Sequence, residues 1–203
     1  MGLLEGIFVA VVFIYSIVIH EVSHGLIARS LGDNTADDQG RITLNPIKHI
    51  DFFGSIILPF FLLLVGSPFV FGYAKPVPYN PANLNDRKYG PAKVALAGPL
   101  VNLVLAVAFG LLLRFLPAYL QATILPSLLS FIVQINLLLA IFNLMPIPPL
   151  DGHWLLLTFL PERFAAFKVF ILRYSVALFL IFLFFIFPLI YPLINLLFRA
   201  IVG

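Results

Sequence analysis

The stretch Ile19-His20-Glu21-Val22-Ser23-His24-Gly25 sets three titratable side chains inside a long apolar run. It constrains the fold strongly, because ionisable groups at membrane depth are costly and face a bundle interior or a wet cavity. On a helix, residues four apart lie one above the other. His20 and His24 therefore share a face, and both rings can reach one metal ion. Glu21 sits beside them, placed to handle a water on that ion. A zinc site would justify all three residues in one apolar helix.

Only 10% of the 203 residues are charged and 62% are hydrophobic, whereas a soluble domain carries about 25% charged residues. The mean hydropathy is +1.08. The composition implies an all-α polytopic membrane protein, a single membrane-embedded domain over residues 1–203. About five to six transmembrane or re-entrant helices are expected. No mixed-polarity stretch of about 50 residues offers a soluble accessory domain. No basic run suggests nucleic acid. Met1-Gly2-Leu3-Leu4-Glu5 lacks a basic leader region, so the first apolar segment reads as a retained helix. Cysteine is absent, which excludes thiolate ligands and leaves four His and nine acidic residues as candidate metal donors.

The motif helix is predicted over 3–31, stopped by Gly32. In the polar segment that follows, a short membrane-associated strand is expected near 41–44, where Arg41-Ile42-Thr43-Leu44 is partly β-branched and bounded by turn formers. Core spans are predicted at 52–73, 94–116 and 124–145. The first is punctuated by Gly54, Pro59, Gly66 and Pro68, so it either kinks across or re-enters; the second is broken near Gly98-Pro99. A Pro-rich turn at 146–153 carries Asp151, and C-terminal helices follow at 167–187 and 189–202. Lys and Arg counts on the first two loops nearly balance if 52–73 crosses fully, which leaves the orientation open.

Zinc favours four ligands with one position open in a hydrolytic site. His20 and His24 supply two, so a third must come from elsewhere. Asp151 is the first candidate, at a depth where an unpaired carboxylate is expensive; its structural alternative is a helix N-cap. His153 is the rival ligand, while His49, Asp51 and Glu162 lie in loop-like surroundings. Within spans, Asn102 and Asn136 read as interhelical hydrogen-bond donors, and Asn143 is placed to brace Asp151.

Three motifs in order, Ile19-His20-Glu21-Val22-Ser23-His24-Gly25, Ala97-Gly98-Pro99-Leu100-Val101-Asn102 and Asn143-Leu144-Met145-Pro146-Ile147-Pro148-Pro149-Leu150-Asp151-Gly152, resemble the site-2 protease family of intramembrane zinc metalloproteases. The resemblance covers most of the chain. It implies one Zn2+ held by His20, His24 and Asp151, with Glu21 as the catalytic carboxylate and Asn102 hydrogen-bonding near the scissile peptide. It implies a minimal member without PDZ or CBS domains, in the cell membrane of a prokaryote.

The reaction expected is hydrolysis of a peptide bond within or next to a transmembrane segment, with Glu21 as base and then proton donor. The partners are then a transmembrane protein or peptide substrate and the lipid bilayer. A strand at 41–44 would pair with the extended substrate. Other classes to be weighed are a transporter or ion relay, a lipid hydrolase, and a membrane zinc protein without turnover. A di-iron lipid oxidase would need more histidines than four.

Overall fold

The computed structural model describes residues 2–66 and 72–203. Among the described residues, four helical stretches are long and apolar enough to cross a membrane: Leu3–Ser30, Gly90–Arg114, Leu125–Asn143 and Ser175–Val202. The α-helices of the described residues, in chain order, are α1 (Leu3–Ser30), α2 (Thr35–Asp38), α3 (Leu58–Leu64), α4 (Gly90–Arg114), α5 (Ala118–Gln121), α6 (Leu125–Asn143), α7 (Gly152–Phe159), α8 (Ala165–Arg173), α9 (Ser175–Ile181) and α10 (Tyr191–Val202). Helices α4 and α6 pack together; α1 lies against both, α7 against α4, and α10 against α4 and α6. The core between them is Ala106, Val133, Leu137, Ile141, Phe182, Ile190 and Ile194, all buried.

Helix α1 stops where the sequence puts its glycine. Gly32 adopts φ of 100°, a conformation that L side chains rarely take. The Asp33 amide then reaches back to the Ala28 carbonyl at 3.0 Å and closes the helix end.

The strand expected near 41–44 does not form; no strand occurs among the described residues. The reason is local. Arg41 is buried and donates Nη2 to the carbonyls of Lys75 (2.9 Å) and Pro76 (3.2 Å). His49 Nε2 folds back to the Thr43 carbonyl (2.8 Å), and Asn45 caps a 3-10 turn at Pro46–His49. These side-chain bonds hold the segment as a bent loop, with no neighbouring strand to pair with.

The 52–73 segment re-enters rather than crosses. A π-helical turn at Phe52–Ile57 leads into α3, which ends at Leu64. The chain is back beside its entry by Tyr73, whose amide donates to the Gly54 carbonyl (3.1 Å). Ser55 Oγ donates to the Tyr73 carbonyl (2.8 Å), and the Lys75 amide to that of His49 (2.8 Å). Residues 67–71 of the expected span lie outside the described residues. Both polar loops, 31–51 and 74–89, consequently sit at the same end of the bundle.

Two further boundaries differ from the sequence reading. Helix α4 runs unbroken through Pro99. The proline forfeits one backbone bond, but breaking the helix in an apolar surround would expose many more unpaired groups. The C-terminal break falls at Tyr174 instead of Pro188, leaving α8 separate and Ser175–Val202 continuous. Pro188 and Pro192 each occupy the first turn of a helical segment, where the missing N–H costs nothing.

Asp33 is the latch between the two polar loops. It is 1% exposed. Its carboxylate accepts from the Thr35 amide and hydroxyl (3.2 and 2.6 Å), the Asn80 amide (2.6 Å) and Asn83 Nδ2 (3.0 Å). Burial alone would raise its pKa; the bonds from Thr35, Asn80 and Asn83 outweigh it and hold the carboxyl below the usual range. A depressed folded-state pKa contributes stability above about pH 4 and loses it as pH falls through the lower value. Asp33→Asn is expected to lower unfolding stability by about 2 kcal/mol near neutral pH, measured by unfolding in detergent. The variant should also lack part of the acid-induced loss seen in the wild type; matching pH profiles would refute the latch.

Candidate metal centre

The site is built where α1, α4 and the Pro-rich turn before α7 meet. His20 and His24 project from α1, and both are buried. Asp151 precedes α7 with helical backbone angles, and its side chain caps nothing. The N-cap alternative is thereby removed, and the carboxylate points to the histidines instead. Asp151 Oδ2 lies 3.0 Å from His20 Nε2 and 3.3 Å from His24 Nε2. Among the described residues, His20, His24 and Asp151 form the one group with metal-holding geometry, their ligand atoms within 4.8 Å of one another.

The hydrogen bonds behind the rings fix their tautomers. Asn102 Nδ2 donates to Asn136 Oδ1 (2.8 Å) and to the Ser16 carbonyl (3.3 Å), so its oxygen faces His20. His20 Nδ1 therefore donates to Asn102 Oδ1 (2.6 Å). His24 Nδ1 donates to the Val94 carbonyl (2.7 Å), which can only accept. In the neutral rings the Nε2 lone pairs are then free. Two imidazole lone pairs and a carboxylate oxygen converge with no proton to share between them. Such a set calls for a cation. Ligands about 2.0–2.1 Å from a tetrahedral zinc stand about 3.3 Å apart, which the 3.0 and 3.3 Å separations match. Two nitrogens and one carboxylate oxygen suit zinc and leave one position open.

Glu21, on the same helix, has Oε2 tied to the Val77 amide (2.8 Å). It stands three residues before His24 on α1 and therefore borders the His/His/Asp group. The other site residues fall differently from the sequence reading. Asn102 is fully buried, with its amide spent on His20, Asn136 and Ser16. It bonds the His20 ring through Nδ1, the nitrogen that faces away from Asp151. Asn136 joins α6 to α4 and α1, its Nδ2 donating also to Ser16 Oγ (3.1 Å). Asn143 donates to the Leu139 carbonyl of its own helix (3.0 Å) in place of bracing Asp151. His153 pairs through Nδ1 with the Leu150 carbonyl (2.6 Å) and stands outside the cluster.

Two glycines make room for this arrangement. A Cβ on Gly98 would run into the His20 ring, and a Cβ on Gly152 into the Leu144 and Met145 carbonyls. Sequence reasoning also passed over two backbone participants, the Val77 amide on Glu21 and the Val94 carbonyl on His24. A backbone group carries no residue-type signal.

Comparison with known proteins bears on the same residues. The family model described as peptidase family M50 matches residues 117–185. Three relatives have names beginning "Putative zinc metalloprotease". YwhC of Bacillus subtilis is 40% identical over 152 residues, 72% of this chain and 66% of the relative. Rip2 of Mycolicibacterium smegmatis is 32% identical over 152 residues, 73% of this chain and 56% of the relative. MJ0611 of Methanocaldococcus jannaschii is 37% identical over 138 residues, 67% of this chain and 62% of the relative.

The chain belongs to peptidase family M50. It spans between 56% and 66% of the lengths of these M50 relatives. No solved structure matches it significantly.

Gly98→Ala tests the fit of this M50 site. A mid-helix alanine favours the helix by about 1 kcal/mol over glycine, so lost metal would not reflect a weaker helix. The added methyl should displace His20 and weaken zinc binding at least about tenfold, read by chelator competition. Wild-type affinity in the variant would mean that the His20 ring does not lie against Gly98.

Proposed function

We propose that this chain is a zinc-dependent intramembrane peptidase, hydrolysing a peptide bond within or next to a transmembrane segment of a membrane-protein substrate. One observation carries the reading: two imidazole nitrogens and a carboxylate oxygen converge within 4.8 Å of one another, with the Glu21 carboxylate on the same helix. His20, His24 and Asp151 would hold one zinc ion. When bound, zinc supplies a Lewis acid that polarises the substrate carbonyl and acidifies a water.

The chain's own residues carry the protons. Glu21 takes the proton of the attacking water and later passes it to the leaving nitrogen. Its tether to the Val77 amide holds one oxygen and leaves the other to do this (2.8 Å). Asn102 acts as a positioning residue, fixing the His20 tautomer; this replaces the substrate contact implied by resemblance. The site is joined to the polar loop 74–89 through the Val77 amide on Glu21, and a substrate helix must unwind locally before its carbonyl is free.

Charge suggests which side that is. Both polar loops share one end, and α4 and the Ser175–Val202 stretch carry Arg114 and Arg199 at the other, where Arg114 Nη1 donates to the Ile201 carbonyl (3.4 Å). The remaining Lys and Arg collect at the site end, which the positive-inside rule assigns to the cytoplasm. The relatives are bacterial and archaeal proteins, in keeping with the cell membrane of a prokaryote.

An ion relay fits less well, because both Nδ1–H groups end on acceptors with no onward proton path (His20 on Asn102, His24 on Val94). A zinc protein without turnover would have no need of Glu21 beside an open coordination position. Glu21→Gln separates these readings. Wild type and variant should both carry one zinc per chain, and only the wild type should cleave a panel of single-span substrates. Equal cleavage by the variant would remove Glu21 as the base, and the absence of zinc from both would remove the metal centre.

A further inference from the structure

Arg41 is buried, yet none of the ion pairs among the described residues includes it. Its Nε has no hydrogen-bond partner there either. The bonds it does make run from Nη2, to the carbonyls of Lys75 (2.9 Å) and Pro76 (3.2 Å). A buried cation held by two neutral carbonyls is poorly compensated. As a loop tie alone it would be a costly choice, because an amide side chain can donate to the same carbonyls with no charge to bury.

The compensation lies one peptide group away. The Pro76 carbonyl and the Val77 amide belong to the same trans peptide, so they point in opposite directions. The carbonyl faces Arg41, and the amide donates to Glu21 Oε2 at 2.8 Å. The peptide dipole, about 3.5 D, thus has its negative end on the guanidinium and its positive end on the carboxylate. Each bond strengthens the other. The sequence leaves no rival donor, since Pro76 and Pro78 lack an N–H and Val77 supplies the sole amide hydrogen of Pro76-Val77-Pro78. Gly25 makes room for the strap. It lies four residues after Glu21 on α1, on the same face. A Cβ there would stand 3.0 Å from Val77 Cγ1 and 3.2 Å from Ile42 Cγ1. The residue after Arg41 and the residue that donates to Glu21 therefore both seat on the glycine of the motif helix.

We propose that Arg41 is a positioning residue for Glu21, acting through the Pro76–Val77 peptide. The guanidinium fixes the peptide plane, and the plane fixes one oxygen of the carboxylate. Arg41 bonds to no member of the metal group, so it neither ligates nor touches the reacting atoms. The inference rests on Glu21 being the base, as read above.

Arg41→Met provides the test, since it removes the charge and both bonds while keeping an unbranched stem. Full-length protein in detergent is read in two ways. In the metal-free form, hydrogen–deuterium exchange resolved to single residues by mass spectrometry should show the Val77 amide exchanging at least about tenfold faster than in the wild type. In the zinc-loaded form, kcat on a single-span substrate should fall about tenfold to a hundredfold, with KM and zinc content unchanged. Asp33→Asn, which loosens the same layer without touching this peptide, should leave kcat and Val77 exchange close to wild type. Wild-type exchange at Val77 in Arg41→Met overturns the proposal. So does an equal loss of kcat in Asp33→Asn, which would make Arg41 a structural tie. Should Arg41→Met not fold, Arg41→Lys, which keeps the charge and gives up the planar donor group, is decided by the same two readings. A wild type that loads zinc and cleaves nothing sinks the reading of Glu21 on which the proposal stands, whereas equal cleavage by wild type and Arg41→Met sinks Arg41 alone.

Discussion

A chain of buried amides on which the site depends runs from Ser16 through Asn136 and Asn102 to His20. Each link is satisfied: Asn136 gives its Nδ2 to Ser16 Oγ at 3.1 Å, Asn102 gives Nδ2 to Asn136 Oδ1 at 2.8 Å, and Asn102 Oδ1 accepts from His20 Nδ1 at 2.6 Å. Three helices contribute one member or more, so the bonds that fix the tautomer also join α1, α4 and α6. In an apolar surround an unpaired amide has no water to turn to. A half-made chain would be worse than none, which makes the network an all-or-none brace. One consequence reaches the chemistry directly: with Nδ1 committed, only Nε2 remains for a ligand.

Much of this was legible in the sequence, and for a physical reason. Two histidines at a spacing of four fix their shared face once the segment is helical, and a 28-residue apolar run has few alternatives to helix in a membrane. Asp151 was legible because an acidic residue at that depth needs a partner. The failures have a shared physical cause. Ile42-Thr43-Leu44 has strand-forming residues, yet Arg41 and His49 turn inward to carbonyls and remove the chain from any pairing. Pro99 looks like a helix breaker, but helix packing and the absence of water make continuation the cheaper course. Tertiary context decides these cases, and residue type alone does not report it.

Asn102 shows the limit of a motif more sharply. The resemblance supplies a residue and an expected neighbour, the scissile peptide. Full burial and three occupied bonds place the amide behind the ligand instead. Both readings put Asn102 in the site, and they differ only in which side of His20 it serves. No spacing rule distinguishes front from back. The separation of roles follows from burial and from counting donors, since Asn102 is fully buried and has given both Nδ2 hydrogens to Asn136 and Ser16, leaving none for a substrate carbonyl.

The return of the chain at Tyr73 has the widest reach of any single departure. Had 52–73 crossed, Asp33 and Asn80 would stand on opposite faces of the membrane and could not bond at 2.6 Å. Because the segment re-enters, the loop after α1 and the loop before α4 become one layer, latched by Asp33 and braced by Arg41 on Lys75 and Pro76. That layer carries the Val77 amide to Glu21 and the Tyr79 ring to Trp154 of α7. The Glu21 carboxylate is thus held from outside its own helix, by a segment placed both by loop bonds and by packing on α1 and α4. The parts of the site are held differently: the imidazoles by the Asn102 side chain and the Val94 carbonyl inside the bundle, and Glu21 by the polar layer.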